Sequence, residues 1–273
     1  VTSLSVQLFD AALDLLVPAR CVGCQAPHTQ LCALCRADLE DARPAPARPR
    51  AAPPGLPEVF AAVHYEGAAR QVLLAHKERG ALRLARPLGL ALAGAVTAAV
   101  PGSAASRAAP LLLVPMPSTR ATVRARGHDP TRRLTLAATG ALRRAGIPAR
   151  LLPALRHGRA VADQSDLGAA ERLRNLHGAL TVRSRHRAQL GHGRIILVDD
   201  LVTTGATLAE GARALAAAGG DVLAAAVVAA TVLRARTDRS GAHLPAPEES
   251  PADRPPGGAP PPDRPASARA QPG

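Results

Sequence analysis

The chain has 273 residues, with 34 basic against 21 acidic side chains and a net charge of +13. That length holds one α/β domain of ordinary size plus a small appendage. The basic excess favours polyanionic partners such as nucleic acid, phosphate esters or an anionic membrane surface, with solvated arginines as the plainer reading. With no Trp and only Phe9, Phe60 and Tyr65 as aromatics, the core must be built from Ala, Leu and Val, and stacking of bases on exposed aromatic platforms is excluded.

The first residues lack a basic n-region, and Asp10 and Asp14 interrupt the apolar spacing of Leu8, Phe9, Leu13 and Leu16. No targeting sequence is read there, so the expected compartment is the cytoplasm. All four cysteines follow closely, as Cys21-x-x-Cys24 and Cys32-x-x-Cys35. Two such pairs can place four thiolates tetrahedrally around one Zn2+, with two disulfides or a redox pair as the alternatives. The flanking residues carry little apolar bulk, so a metal would supply the stability of this segment. His28, between the pairs, is either a substitute ligand or an exposed loop histidine. Residues 1–42 are therefore expected to form an N-terminal helix and a four-cysteine knuckle. Residues 43–57, with Pro44, Pro46, Pro49, Pro53, Pro54 and Pro57, are expected to be an extended, semi-rigid linker. The main domain is expected over 58–235. Beyond it, 236–273 is rich in Pro, Gly, Ser and charge and reads as a disordered tail.

Within the main domain, Val59 to Tyr65 reads as a strand and Ala68 to His76 as the start of a helix. Leu88 to Val100, between Pro87 and Pro101, is apolar but too short to span a bilayer, so it reads as a core helix and no membrane insertion is expected. Leu111 to Val114 is a buried strand, followed by a helix around Arg133 to Arg144. Ile195 to Val198 and Val222 to Val232 are further strands, and a helix from Leu208 to Ala218 between them stops at Gly219-Gly220. This alternation implies an α/β fold, a parallel sheet flanked by helices with right-handed crossovers.

Three stretches carry chemistry. After Leu111–Val114 comes Pro115-Met116-Pro117-Ser118, then Arg120, Arg124, Arg126 and Gly127. A rigid turn at a strand's carboxyl end followed by three arginines is placed to meet an anionic group; a solvated basic loop is the plainer reading. Between Arg156 and Leu180 stand Gln164, Leu167, Glu171, Arg172 and Asn175, read either as a mobile lid over substrate or as a surface helix with incidental charges. The richest stretch is Ile195 to Thr207. Asp199 and Asp200 follow an apolar, β-branched run, at the carboxyl end where open α/β sheets bind ligands. Thr203, Thr204, Gly205, Ala206 and Thr207 then offer hydroxyls and free N–H groups at a helix start, a setting that attracts phosphate. Carboxylates repel phosphate, so the ligand must keep anionic and neutral polar parts apart. A ribose 5-phosphate fits, its vicinal hydroxyls donating to Asp199 and Asp200 and its phosphate resting on the threonine loop. An ordinary strand, turn and helix with a threonine cap is the plainer reading. Neither Gly-x-x-x-x-Gly-Lys-Ser/Thr nor a helix-opening Gly-x-Gly-x-x-Gly occurs.

The Asp199 to Thr207 segment resembles the phosphoribosyl-pyrophosphate motif of type I phosphoribosyltransferases. The wider order of motifs resembles the ComF family, phosphoribosyltransferase-like proteins linked in several bacteria to DNA uptake during natural competence. That order runs from the four-cysteine knuckle through His64-Tyr65-x-Gly67, Lys77 before Gly80, Val114-Pro115-x-Pro117, Arg126-Gly127 and the Gln164, Leu167, Arg172, Asn175 series to the double Asp, over about residues 10 to 233. The resemblance implies a type I phosphoribosyltransferase fold with a zinc-ribbon-like module. It also implies phosphoribosyl pyrophosphate as ligand, with Mg2+ bridging ribose and pyrophosphate. Asp199 and Asp200 would then be the catalytic pair on the ribose hydroxyls, and 203–207 the 5′-phosphate cradle. Arg120, Arg124 and Arg126 would lie on the pyrophosphate side, and Gln164, Arg172 and Asn175 on the lid. The implied reaction is phosphoribosyl transfer to a nitrogen acceptor, as in nucleotide metabolism. The alternative is a non-catalytic sensor of phosphoribosyl pyrophosphate, or an accessory protein that binds single-stranded DNA or DNA-uptake proteins. One departure stands out: family members commonly read Arg-Gly-Phe-Asn-Gln where this chain has Arg126-Gly127-His128-Asp129-Pro130, which changes stiffness and charge beside the pyrophosphate position.

Overall fold

The computed structural model describes residues 20–100, 109–158 and 178–231, all within the first of two compact units, Val1–Arg236. The expected N-terminal helix, the lid residues Gln164, Arg172 and Asn175, and the 236–273 tail lie outside the described residues. A cysteine-bearing loop leads into α1 (Ala33–Glu40), β1 (Ala45–Ala47), β2 (Val59–His64), α2 (Gly67–Glu78) and α3 (Ala85–Ala98). Then follow β3 (Leu111–Pro115), α4 (Arg120–Arg126), α5 (Pro130–Arg144), β4 (Ala149–Leu151) and β5 (Leu155–His157). The chain closes with β6 (Leu180–Val182), α6 (Ser184–Arg187), β7 (Arg194–Val202), α7 (Ala206–Ala216) and β8 (Val222–Ala230).

One sheet of six strands has the order β1-β2-β8-β7-β3-β4. Its pairs are parallel except β1 against β2, so the fold is α/β with a mostly parallel mixed sheet. A separate antiparallel ribbon joins β5 to β6. The side-chain alternation of strands divides the core into two layers. Leu111, Leu113, Ile196, Val198, Ala226 and Val228 face α3 and α5, while Leu112, Val114, Ile195, Leu197, Ala225 and Val227 face α7. Ile195 to Val198 are completely buried, which is why that run shows no apolar/polar alternation. With so few aromatics, close approach replaces bulk. The alanines of β8 present a low surface against which the Leu88 and Leu92 side chains of α3 are fully buried, each such burial stabilising by about 1.5–3 kcal/mol.

The sequence-based boundaries need three corrections. Residues 43–57 are not solely a linker, because Ala45–Ala47 form the edge strand of the main sheet, in register with Val59 to Ala61. Pro46 is tolerated there because an edge strand leaves one side of its backbone without a ladder partner. The strand expected to end at Val198 continues to Val202, held by β8 as far as Val202 opposite Ala230. Its β3 neighbour stops at Pro115 opposite Val198, so Asp199 and Asp200 are strand residues with one open edge. Ala206 and Thr207, expected in the loop, already form the first turn of α7. Among the described residues no helix is long and apolar enough to cross a membrane; the apolar run at Leu88 lies inside α3.

Candidate functional site

The helix α5, on the connection from β3 to β4, and the helix α7, after β7, pack on opposite faces of the sheet. The crevice between the carboxyl ends of the adjacent strands β3 and β7 is therefore a topological switch point, where open α/β sheets bind ligands. Met116 N donates to Val198 O at 2.8 Å, marking where the two strands part. Alternation sends Asp199 toward the α7 face and Asp200 toward the α2–α3 face. Asp200 meets a cation there, Lys77 from the last turn of α2, whose Nζ lies 2.7 Å from Asp200 Oδ2. Burial disfavours the charged lysine, but the Asp200 and Asp199 carboxylates outweigh it and raise the Lys77 pKa. Asp199 is in the reverse position. Burial and then the neighbouring Asp200 charge push its carboxyl up to about 8, against the opposing pull of Lys77 and the Asp200 N–H, which donates to Asp199 Oδ1 at 2.8 Å. The two adjacent acids thus have different electrostatic partners.

Beyond Val202 the chain turns through exposed Thr203 and half-buried Thr204 into α7. Gly205 is the N-cap, at φ +77°, and brings no capping side chain. That left-handed conformation selects glycine, and the tip of the Leu56 side chain lies where a Cβ would stand, 2.8 Å from its Cδ2. Thr204 Oγ1 accepts from Ala206 N at a long 3.4 Å. No other described side chain caps this end, so the following N–H groups of the first turn stay available to an anion.

The β3 loop closes the other side. Thr119 caps α4, accepting from Thr122 N at 3.1 Å. Arg120 and Arg124 are exposed, whereas Arg126 is committed, with its Nε and Nη2 reaching Glu78 Oε2 and Oε1 at 2.8 and 2.6 Å. Residues 127–130 have local structural work. Gly127 ends α4 in the left-handed region. Asp129 caps α5, accepting from Arg132 N at 3.0 Å and Ser118 Oγ at 3.3 Å, and Pro130 opens that helix. The Asp129 charge sits on a helix N-terminus, where it is favourable. His128 Nε2 lies 3.1 Å from His76 O, so His76, Lys77 and Glu78 together tie the end of α2 to both sides of the crevice.

The β5–β6 ribbon, which brackets the undescribed 159–177, is anchored by α7. Glu210 Oε1 accepts from Leu180 N at 2.9 Å, and Arg213 bonds both Glu210 and Leu180 O. Burial raises the Glu210 pKa, but Arg213 and backbone N–H groups outweigh it and hold the carboxyl below its ordinary value. Arg156 lies on this ribbon and Arg183 directly follows it. Burial, then repulsion from Arg185, Arg156 and Arg120, lowers the Arg183 pKa, which places Arg120 in a cluster of like charge.

At the knuckle, the Sγ atoms of Cys21, Cys24, Cys32 and Cys35 all lie within 4.8 Å of one another, and all four are free thiols. The turn is set by Cys21 N donating to Ala26 O at 2.7 Å and Gln25 N donating to Cys21 O at 2.8 Å. Cys32 N and Cys35 N donate to the sulfurs of Cys21 and Cys32 at 3.3 and 3.5 Å. Gly23 is required by packing, because a Cβ there would lie 2.7 Å from Cys35 Sγ. Burial pushes the Cys21 thiol up, but backbone N–H groups of Cys32, Cys24 and Gly23 outweigh it and bring it down to about 6. Burial and the neighbouring sulfurs push Cys35 far up. Four sulfurs this close cannot all ionise without a cation among them, and a closed S4 set is the donor set of a structural Zn2+ site. His28 is exposed and outside the cluster. Leu31, Cys35 and Leu39 share one apolar core with α2 and α3, so the knuckle is built into the domain.

The chain matches no family model and no curated protein.

The crevice thus collects Asp199, Asp200 and the 203–207 turn, while Arg126 is diverted to Glu78. The sequence reading assigned no role to Lys77, Glu78, Arg183 or Glu210. For Lys77 a signal existed: it is the one lysine in a chain whose other 33 basic residues are arginine. A buried carboxylate pair also calls for a nearby cation.

Proposed function

We propose that this protein binds a phosphorylated ribose of the phosphoribosyl-pyrophosphate type and transfers its phosphoribosyl group to a nitrogen nucleophile, on a domain of the type I phosphoribosyltransferase kind. The observation that carries this reading is the single crevice in which Asp199 and Asp200 stand at the open edge of β7, directly before a turn that delivers an uncapped helix N-terminus. Carboxylates suit the sugar hydroxyls and the N–H groups suit the 5′-phosphate. Asp199, held near neutrality by its surroundings, can both accept and donate a hydrogen bond to a diol. In the reaction, the nitrogen bonds to ribose C1 as the bond from C1 to the pyrophosphate oxygen breaks. Pyrophosphate leaves with the electron pair, and the nitrogen gives up its proton. A bound Mg2+ would supply charge neutralisation for the leaving group, with Arg120 and Arg124 on the same side. The Cys21, Cys24, Cys32 and Cys35 set would hold Zn2+ as a structural ion.

Pyrophosphate release, followed in time with Mg2+, phosphoribosyl pyrophosphate and a panel of nucleobases, tests the reading. Turnover in the native protein and a loss of about a hundredfold or more in Asp200→Asn is the expected result. Binding without turnover would leave only a sensor. A second reading rests on the Arg120, Arg156, Arg183 and Arg185 cluster. These arginines suit a phosphate backbone, as in a DNA-binding accessory of competence, and affinity for single-stranded DNA should then fall steeply with salt. Salt-independent or absent DNA binding removes it.

A further inference from the structure

Lys77 holds the site together in a way that a fixed structural ion pair does not require. Its ammonium contacts Asp200, whose side chain is 8% exposed, yet the lysine side chain is itself 34% exposed. The cation therefore reaches the acid from the rim and keeps an open side. The backbone beneath it is pinned on both flanks: His76 O faces His128 Nε2, and Glu78 holds Arg126 in a two-point pair. A change at Lys77 is thus confined to its four-carbon side chain. Arg126 of the β3 loop is already committed to Glu78, and Lys77 is the cation in contact with Asp200. The chain's overwhelming preference for arginine is broken at this position alone. A lysine differs in being a compact charge on a flexible stem with rotatable donors, whereas a guanidinium is a planar fork.

We propose that Lys77 is a transferable counter-ion: it neutralises Asp200 in the free protein, yields that carboxylate to the ligand's hydroxyls on binding, and moves its ammonium onto the ligand's anionic oxygens. This rests on the sugar-phosphate reading above and adds to it the residue that couples the two halves of recognition. A ligand carrying only a diol would have to displace the ammonium with nowhere to send it. A ligand carrying only phosphate would leave the pair on Asp200 intact. The crevice therefore selects ligands that have both groups at one end of the sugar.

Because Lys77 is the chain's one lysine, protein made with 15N at the lysine Nζ gives a single side-chain signal that needs no assignment. In the free protein this signal should shift on Asp200→Asn. On saturation with phosphoribosyl pyrophosphate and Mg2+, with binding followed separately by calorimetry, it should move to a new position. An unmoved signal in a demonstrably saturated protein overturns the proposal, since Lys77 would then be a static strut, while the sugar-phosphate reading would stand. Absence of any calorimetric binding overturns both. As a second measurement, Lys77→Met should weaken binding about tenfold to a hundredfold, the range for losing a charge-assisted hydrogen bond. Lys77→Arg should fail to restore it. Native-like affinity in either variant counts against the assignment.

Discussion

The cysteine knuckle and the carboxylate crevice face the same electrostatic problem, and they differ in where the answering charge comes from. Each crowds groups that cannot all ionise together. At the crevice the chain supplies its own cation, with Lys77 on Asp200, and leaves Asp199 near neutrality. At the knuckle no described basic side chain contacts the four sulfurs, and the cation has to come from solution. The difference teaches what each centre is for. An internal cation leaves the acids paired without outside help, whereas four crowded sulfurs, two of them buried in the apolar core, call for an added ion.

Four experiments press on this contrast, and removal of the knuckle's ion has the largest expected effect. The purified protein should carry one Zn2+ per chain by elemental analysis. Because Leu31 and Leu39 belong to the same core as Leu88 and Leu92, stripping the ion with a chelator, or Cys35→Ala, should lower the melting temperature of the whole unit by roughly 10 °C or more. Circular dichroism suits the measurement in a chain without tryptophan. A loss confined to the first residues, with the sheet's transition unchanged, would show the knuckle to be a separate appendage.

At the crevice, Lys77→Met should cost about 2 kcal/mol in urea unfolding, below the range for a fully buried pair because the lysine is partly exposed. Adding Asp200→Asn to that variant should recover most of the loss. Additive losses would mean that the two residues do not neutralise each other. Next comes pH. Asp199 binds its proton more tightly in the folded state, with a carboxyl near 8 against an ordinary 3.8. That preference favours folding below the ordinary value and is lost as pH rises toward 8. Asp199→Asn removes the titration. Its stability relative to the native protein should therefore improve by a few degrees in melting temperature between pH 5 and pH 9, and level off above that. A difference independent of pH would place the Asp199 proton elsewhere. The smallest effect belongs to the rim. Arg126→Ala breaks a pair with half-exposed Glu78 and should cost no more than about 1 kcal/mol, read from the urea midpoint.

The two centres were also unequally legible in the sequence. The knuckle could be read directly, because two Cys-x-x-Cys pairs bring their sulfurs together by local turns alone, and the structure groups those four residues without His28. The crevice was half legible. An apolar run ending in Asp199-Asp200 and a Thr-Thr-Gly turn announce a strand, a turn and a helix start, all local events. Lys77 was hidden because its partner is 123 positions along the chain, as the difference between 200 and 77, and only the topology brings α2 to the end of β7. The partner of Arg126 was hidden for the same reason. The neighbours of Arg126 in sequence are exposed arginines, whereas its partner in space is Glu78. The boundary at Val198 failed because strand length is set by the partner: β8 continues the ladder that β3 abandons, and a single strand's composition cannot reveal how long its neighbour is.

Leu56 stands in the proline-rich stretch, and its side chain fills the space where a Cβ at Gly205 would go. The segment that joins the knuckle to the sheet thereby also lies against the turn that opens α7. Its length is consequently a constraint. An insertion or deletion between Ala47 and Leu56 would shift a methyl group away from Gly205, and the disturbance would reach the crevice with Asp199, Asp200 and Lys77 all unchanged. A chimera that exchanges the N-terminal segment for that of another protein should be planned with its junction before Cys21 or after Val59, so that this strap is inherited whole.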